Sequence, residues 1–150
     1  MSEKVRLEDV TVRNWRAVAR LKLAPDQQGL VASNLYSIAQ SKFDPNAHPR
    51  AVYAGDKPVG FLMYDVRETK DQTREASIYR FMIDRNHQGK GYGRAALTQA
   101  LAEIRAVPGI RKISIGYMPE NPVAKPFYAS FGFVEAGKDD DGEIIAELTL

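Results

Sequence analysis

The chain has no cysteine among its 150 residues, which excludes a thiol nucleophile, a disulfide framework and a thiolate metal site. Histidine is nearly as scarce. His48 and His87 stand far apart and match no ligand spacing such as His-Glu-x-x-His, so no metal is expected. Long apolar runs are missing too: the longest, around Val59 to Tyr64, falls far short of the ~20 residues that span a bilayer. Met1-Ser2-Glu3-Lys4 offers no apolar signal core, so no membrane partner is expected and the protein reads as soluble and cytoplasmic. Neither sign of charge dominates: 21 Lys and Arg against 19 Asp and Glu are mixed throughout, leaving no basic stripe for nucleic acid. Repeats, linkers and low-complexity tracts are also lacking, so residues 1–150 read as a single domain large enough to bury its own core.

One stretch is unlike the rest. Phe81 to Arg94 runs from an apolar strand end into Gly89, Gly91 and Gly93, alternate positions free of Cβ atoms. Backbone N–H groups there can converge on one point, and the helical spacing from Arg94 to Arg105 puts them at a helix N-terminus. That is a cradle for phosphate. A Walker loop needs Gly-x4-Gly-Lys-Ser/Thr, whereas Gly89-Lys90 is followed by Gly91. A dinucleotide fingerprint fails as well, because Arg94 occupies the place of its third glycine and Arg111-Lys112-Ile113 lies where an acid should be.

Around that loop the periodicities give an order of elements. Val5 and Leu7 predict a first strand, Trp15, Val18, Ala19 and Lys22 a helix capped by Asn14, and Val31, Leu35, Ile38 and Ala39 a second helix with Asn34 and Tyr36 on its other faces. Ala51 to Ala54 and Val59 to Val66 predict a hairpin about Gly55-Asp56-Lys57-Pro58. In the strand Ala76 to Ile83, strict alternation puts Glu75, Ser77, Tyr79, Phe81 and Ile83 on one face and Ala76, Ile78, Arg80 and Met82 on the other. Leu97, Leu101 and Ile104 mark the helix after the loop, and Ile110 to Tyr117 a strand parallel to Ala76 to Ile83. Asn121-Pro122 predicts a short helix start, with Pro126 a bend in it, and Gly132 its stop. Phe133 to Gly137 and Glu143 to Leu150 flank Lys138-Asp139-Asp140-Asp141-Gly142 as a last hairpin, its acids a solvated tip and Ile144, Ala146, Leu148 and Leu150 facing the core.

Gln88-Gly89-Lys90-Gly91-Tyr92-Gly93 (Gln-x-x-Gly-x-Gly), preceded by Phe81-Met82-Ile83-Asp84, resembles the pyrophosphate loop of the GNAT superfamily of N-acetyltransferases. Asn121-x-x-Ala124-x-x-x-Tyr128-x-x-x-Gly132-Phe133 resembles that family's second signature, and the element order β-α-α-β-β-β-α-β-α-β-β resembles its fold along essentially the whole chain. The resemblance implies an α/β (α+β) acyl-coenzyme A N-acyltransferase fold, with a mixed twisted sheet of about seven strands and about four helices. It implies acetyl-coenzyme A as co-substrate, without metal, and direct attack by an amine in a ternary complex.

On the same resemblance, Phe81, Met82 and Ile83 lie beside the pantetheine arm, the Phe81 N–H polarises the thioester carbonyl, and the N–H groups of Gln88 to Arg94 hold the pyrophosphate. Side chains of Lys90, Tyr92 and Arg94 add contacts, and Asn121 touches the coenzyme or only caps its helix. Tyr128 protonates the departing thiolate. The family's glutamate base falls at Ser77 here, a poor base; Glu75, acting through water with Tyr79 beside it, is the substitute, and a solvated strand end is its alternative. Pro25 to Phe43 and Arg50 to Tyr64 resemble the corresponding part of bacterial spermine/spermidine (diamine) acetyltransferases, which implies a small-molecule polyamine acceptor with Gln28, Tyr36, Tyr64 and Tyr79 along its path. A peptide or protein N-acetyltransferase and a non-catalytic acyl-coenzyme A binding module are the alternatives, and homodimers are common in the family.

Overall fold

The computed structural model describes residues 4–150. Its elements are β1 (Val5–Asp9), α1 (Trp15–Arg20), a 3₁₀ turn (Pro25–Gln27), α2 (Asn34–Ser41), β2 (Ala47–Ala54), β3 (Lys57–Glu68), β4 (Arg74–Ile83), α3 (Tyr92–Arg105), β5 (Ile110–Tyr117), α4 (Ala124–Ala129), β6 (Val134–Lys138) and β7 (Ile144–Thr149). The strands form one seven-stranded mixed sheet in the order β1-β2-β3-β4-β5-β7-β6. Among the described residues only β4 and β5 pair in parallel, because α3 carries the chain back across the sheet between them.

Helices cover both faces. The apolar stripe of α3 (Ala96, Leu97, Ala100, Leu101 and Ile104) packs on Leu62, Ala76, Ile78, Ile113 and Ile115, whereas Val18 of α1 and Ile38 of α2 pack on Ala51, Phe61, Met63 and Met82. Burying each such aliphatic chain contributes roughly 1.5–3 kcal/mol. Among the described residues, no helix is long and apolar enough to cross a membrane.

Several local expectations change. Asn14 does not cap α1; its Oδ1 accepts from Thr11 N–H (2.8 Å) and its Nδ2 donates to Asp9 C=O (2.9 Å), bracing the turn before the helix. In α2, Ile38 is buried and Tyr36 exposed as expected, but Leu35 is exposed and Asn34 is buried with its Nδ2 donating to Val18 C=O (2.9 Å). That last-turn carbonyl of α1 also accepts from Leu21 N–H (3.2 Å), so the bond to it gives the buried Asn34 amide the partner it needs. Ser33, accepting from Tyr36 N–H, caps α2. Leu150 is exposed rather than core-facing.

The main correction lies in β4. Met63 pairs with Arg80 and Tyr64 with Ile78, so Tyr79 is an extra residue, a β-bulge. Alternation therefore breaks there. Ala76, Ile78, Phe81 and Ile83 face α3, while Tyr79 and Met82 pack with the α1/α2 cluster. Arg80 sides with them, its Nε donating to Ser37 Oγ (3.0 Å) and its Nη2 to Gln40 Oε1 (3.1 Å) of α2. Glu75 pairs with Lys112, opposite in face to the paired Ala76 and Ile113 of the α3 core, so it does not share a face with Phe81.

Candidate active site

Parallel pairing of β4 with β5 stops at Ile78 and Ile115, although β4 runs on to Ile83 and β5 to Tyr117. The strands splay apart beyond that point. Asp84 N–H donates to Val59 C=O (2.8 Å), so by strand alternation Met82 also turns its amide toward β3. The N–H groups of Phe81 and Ile83 point the other way, into the gap. Gln88 confirms the direction, since its Nε2 donates to Ile83 C=O (3.0 Å) from that side.

At the end of β4 the glycine loop enters α3. Gly89 (φ +77°) and Gly91 (φ +83°) adopt left-handed backbone, yet a Cβ built on either would meet nothing within 4 Å. Glycine is needed there for its φ, not for space. The first N–H groups of α3, those of Tyr92, Gly93 and Arg94, have no acceptor among the described residues and stand at the positive end of a 14-residue helix. An anion with several oxygens fits such donors.

Side chains fasten this loop from behind. Buried Asp84 accepts from Lys22 N–H (2.9 Å) and Asn86 N–H (3.1 Å), and Gln88 exchanges amide hydrogen bonds with Gln27 of the 3₁₀ turn. The sequence did not single out Asp84 or Gln27 for this; their partners lie some 60 positions away. The side chains of Tyr92 and Arg94 leave the loop. Tyr92 is buried with Val5, Val52 and Val59, and Arg94 donates to Ser130 Oγ (2.8 Å) with its guanidinium over Phe131 and Phe127 (4.7 and 5.5 Å). Lys90 is exposed.

Asn121 Oδ1 accepts from Val123 N–H (3.1 Å) and Ala124 N–H (3.2 Å), which starts α4 later than Asn121-Pro122 suggests. Pro126 therefore lies in the first turn, where its missing N–H would have had no intrahelical acceptor, and the expected defect disappears. Tyr128 follows two residues on, stacked against Tyr117 (5.8 Å between centroids) and edge-on to Phe127 and Phe133. Burial pushes its phenol above the ordinary range, with Tyr117 adding to the shift, and its hydroxyl has no hydrogen-bond partner among the described residues. It stays protonated at neutral pH.

The splayed strands, the loop and α4 enclose a cleft with two arms. The larger, about 550 Å³, runs from the glycine loop along Phe81, Met82 and Ile83 to Asn121, Phe127 and Tyr128. The smaller, about 270 Å³, opens past Tyr79, Arg80, Gly116, Tyr117, Asp141 and Glu143. Phe81, Asn121, Ala124 and Tyr128 line both, with Leu30 and Val31 as a shared roof. A third groove, about 620 Å³, lies elsewhere, between Arg13, Arg50 and Glu103. Its charges answer one another, Arg50 reaching both Asp9 and Glu103 at 2.9 Å.

The structure thus gathers Phe81, Met82, Ile83, Gln88, Gly89, Gly91, Tyr92, Gly93, Asn121 and Tyr128 around one arm and brings Tyr79 into the other. Glu75 stays outside both, within 3.7 Å of Lys112, which also pairs with Glu147. Gln28 lines a separate hollow with Leu21 and Asn34, Tyr36 is exposed on α2, and Tyr64 lies beneath α3, stacked on His48 and hydrogen-bonded to Glu103. The sequence placed Glu143 and Gly116 only as strand residues and not in a site, because only the fold carries the β6–β7 turn to the mouth of the β4–β5 gap.

Residues 11–133 match the model of the acetyltransferase (GNAT) family. The spermine/spermidine N(1)-acetyltransferase of Bacillus subtilis (strain 168) is 26% identical over 143 residues, 93% of this chain and 94% of that protein. An acetyltransferase from Thermus thermophilus superposes over 100% of both chains with a TM-score of 0.81 at 23% identity. The PaiA N-acetyltransferase of Thermoplasma acidophilum, solved with coenzyme A, covers 98% of this chain and 99% of its own, with a TM-score of 0.74 at 17% identity. At those identities the two structures speak for the fold.

Proposed function

The chain belongs to the acetyltransferase (GNAT) family, and on that premise we propose that it moves an acetyl group from acetyl-coenzyme A to a primary amine of a polyamine such as spermidine or spermine. The observation that carries this is the two-armed cleft, in which the main-chain donors of β4 and of the glycine loop serve one arm and Phe81 and Tyr128 stand where the arms join. The larger arm takes the coenzyme. Its pyrophosphate is held by the free N–H groups at the start of α3, and pantetheine lies along the open edge of Phe81 to Ile83. The inward Phe81 N–H faces the thioester oxygen, where negative charge develops as the amine attacks.

Tyr128, neutral and beside both arms, gives its proton to the departing sulfur. Holding both reactants in one cleft supplies much of the remaining acceleration through orientation. The polyamine is supported by the Bacillus relative, which matches across nearly the whole chain, and by the smaller arm, where Asp141 and Glu143 meet the aromatic residues Tyr117 and Tyr128, while Arg80 on the same arm lies over the Tyr79 ring. Carboxylates and ring faces are what a chain of ammonium groups needs.

Thiol release measured with acetyl-coenzyme A against a panel of spermidine, spermine, free lysine and short peptides tests this reading. The polyamines should give the highest kcat/KM. Preference for peptide N-termini would replace the acceptor while leaving the acetyl donor; binding of acetyl-coenzyme A without release on any amine would overturn acetyl transfer itself.

A further inference from the structure

The carboxylates around the sheet are mostly taken. Glu75 and Glu147 face Lys112, Glu103 faces Arg50 and Tyr64, and Asp84 holds two backbone N–H groups. Glu143 differs. Among the described residues its carboxylate is in no ion pair, and its side-chain hydrogen-bonding neighbour is the like-charged Asp139, yet it lines the smaller arm of the cleft together with Phe81 and Tyr128.

Its position is built rather than incidental. Asp139 Oδ1 accepts from the N–H groups of Asp141 (3.0 Å) and Glu143 (2.9 Å), Asp139 N–H donates to Glu143 C=O (3.0 Å), and Gly142 takes φ +83°, so the hairpin loop is folded on itself. Across the arm stands Gly116 of β5, where an added Cβ would come within 2.9 Å of Glu143 Oε2. The absent side chain lets the carboxylate lie against the strand at the splay.

Resting on the acetyl-transfer reading above, we propose that Glu143 is the proton acceptor for the amine, the part for which Ser77 is unsuited and from which Lys112 holds Glu75 away. A polyamine enters past Asp141 as an ammonium ion, and Glu143 takes one proton from it. The freed nitrogen lone pair forms the C–N bond to the thioester carbonyl carbon. As the C–S bond breaks, sulfur takes the electron pair and the Tyr128 proton; the second nitrogen proton returns to the Tyr128 oxygen through solvent, and Glu143 releases its proton to water. Amide, thiol and one proton balance the equation.

The groups facing Glu143 agree with this role. Burial raises its carboxyl above the usual range, Asp139 raises it further, Arg80 of β4 opposes, and Asp141 adds a little. Tyr79, Tyr117 and Tyr128, the other titratable groups of the arm, are themselves shifted upward and so neutral. A base with a raised pKa is better matched to work near neutrality.

The test is the pH profile of kcat/KM for spermidine in wild type, Glu143→Gln and Glu143→Asp, with acetyl-coenzyme A binding measured by calorimetry beside it. Glu143→Gln should lose about 100-fold at neutral pH, should lose progressively less toward pH 10, where free amine becomes plentiful, and should bind acetyl-coenzyme A as wild type does. Glu143→Asp should recover part of the rate with the acid limb retained. An equal loss at every pH, a loss matched by weakened coenzyme binding, or no loss at all overturns the assignment while leaving acetyl transfer in place. Absence of turnover in wild type that still binds the coenzyme overturns both.

Discussion

The larger arm of the cleft is made of main chain and the smaller arm of side chains. On the proposed coenzyme side the working groups are N–H donors at Phe81, Ile83 and the start of α3, fixed by glycine φ values and by Asp84 and Gln88 from behind. On the proposed acceptor side they are Glu143, Asp141 and Tyr117, brought from β5 and the β6–β7 turn. A backbone site depends on chain conformation and tolerates many side chains; a side-chain site depends on identity. Substitutions should therefore separate the two arms cleanly.

The largest effect belongs to the junction. Tyr128→Phe removes the proposed proton donor and little else, since the hydroxyl has no partner to lose among the described residues, so kcat should fall by about 100-fold or more with coenzyme affinity unchanged. Stopped-flow single turnover beside equilibrium binding would show it; a full rate would remove Tyr128 from the chemistry. On the main-chain side, Gly91→Ala meets no steric clash, yet holding alanine at φ +83° costs about 1–2 kcal/mol. Acetyl-coenzyme A should bind roughly tenfold more weakly, with KM for the amine unmoved. On the side-chain side, Asp141→Asn should raise KM for spermidine by about twofold to fivefold, the loss shrinking as salt rises, because Asp141 is an exposed charge. Calorimetry with coenzyme should show no change.

The smallest effect is on stability. Burial raises the Glu143 carboxyl, so the fold favours its protonated form. What that protonated group contributes is present in full below the unfolded carboxyl value near 4.3, and is lost as pH rises through the folded value. Glu143→Gln should accordingly melt somewhat above wild type at pH 7 and level with it at pH 3.5. An unchanged melting temperature at pH 7 would place the carboxylate in open solvent.

The same contrast decides what could be read from the sequence. The succession of strands and helices along the chain was legible because alternation and helical spacing are local, and the glycine loop announced its place between β4 and α3 within fourteen consecutive residues. Features that depend on distant partners were not. The bulge at Tyr79 appears only in the pairing with β3, and it turned a single face of Glu75, Tyr79 and Phe81 into two. Buried Asn34 answers a carbonyl of α1, and Pro126 is harmless only because Asn121 delays the start of α4. The acceptor arm is of this second kind throughout: Glu143 lies 60 or more positions from Tyr79 and Phe81, and nothing in an acidic hairpin tip says which way it folds.

The central claim is that the two arms meet at Phe81 and Tyr128 and hold both reactants at once. A bisubstrate analogue, spermidine joined to the sulfur of coenzyme A through an acetyl bridge, tests it by titration calorimetry. Simultaneous occupancy predicts binding about 10²–10⁴ times tighter than coenzyme A alone, with most of that gain lost in Glu143→Gln. An affinity equal to that of coenzyme A would mean that the second arm does not receive the amine.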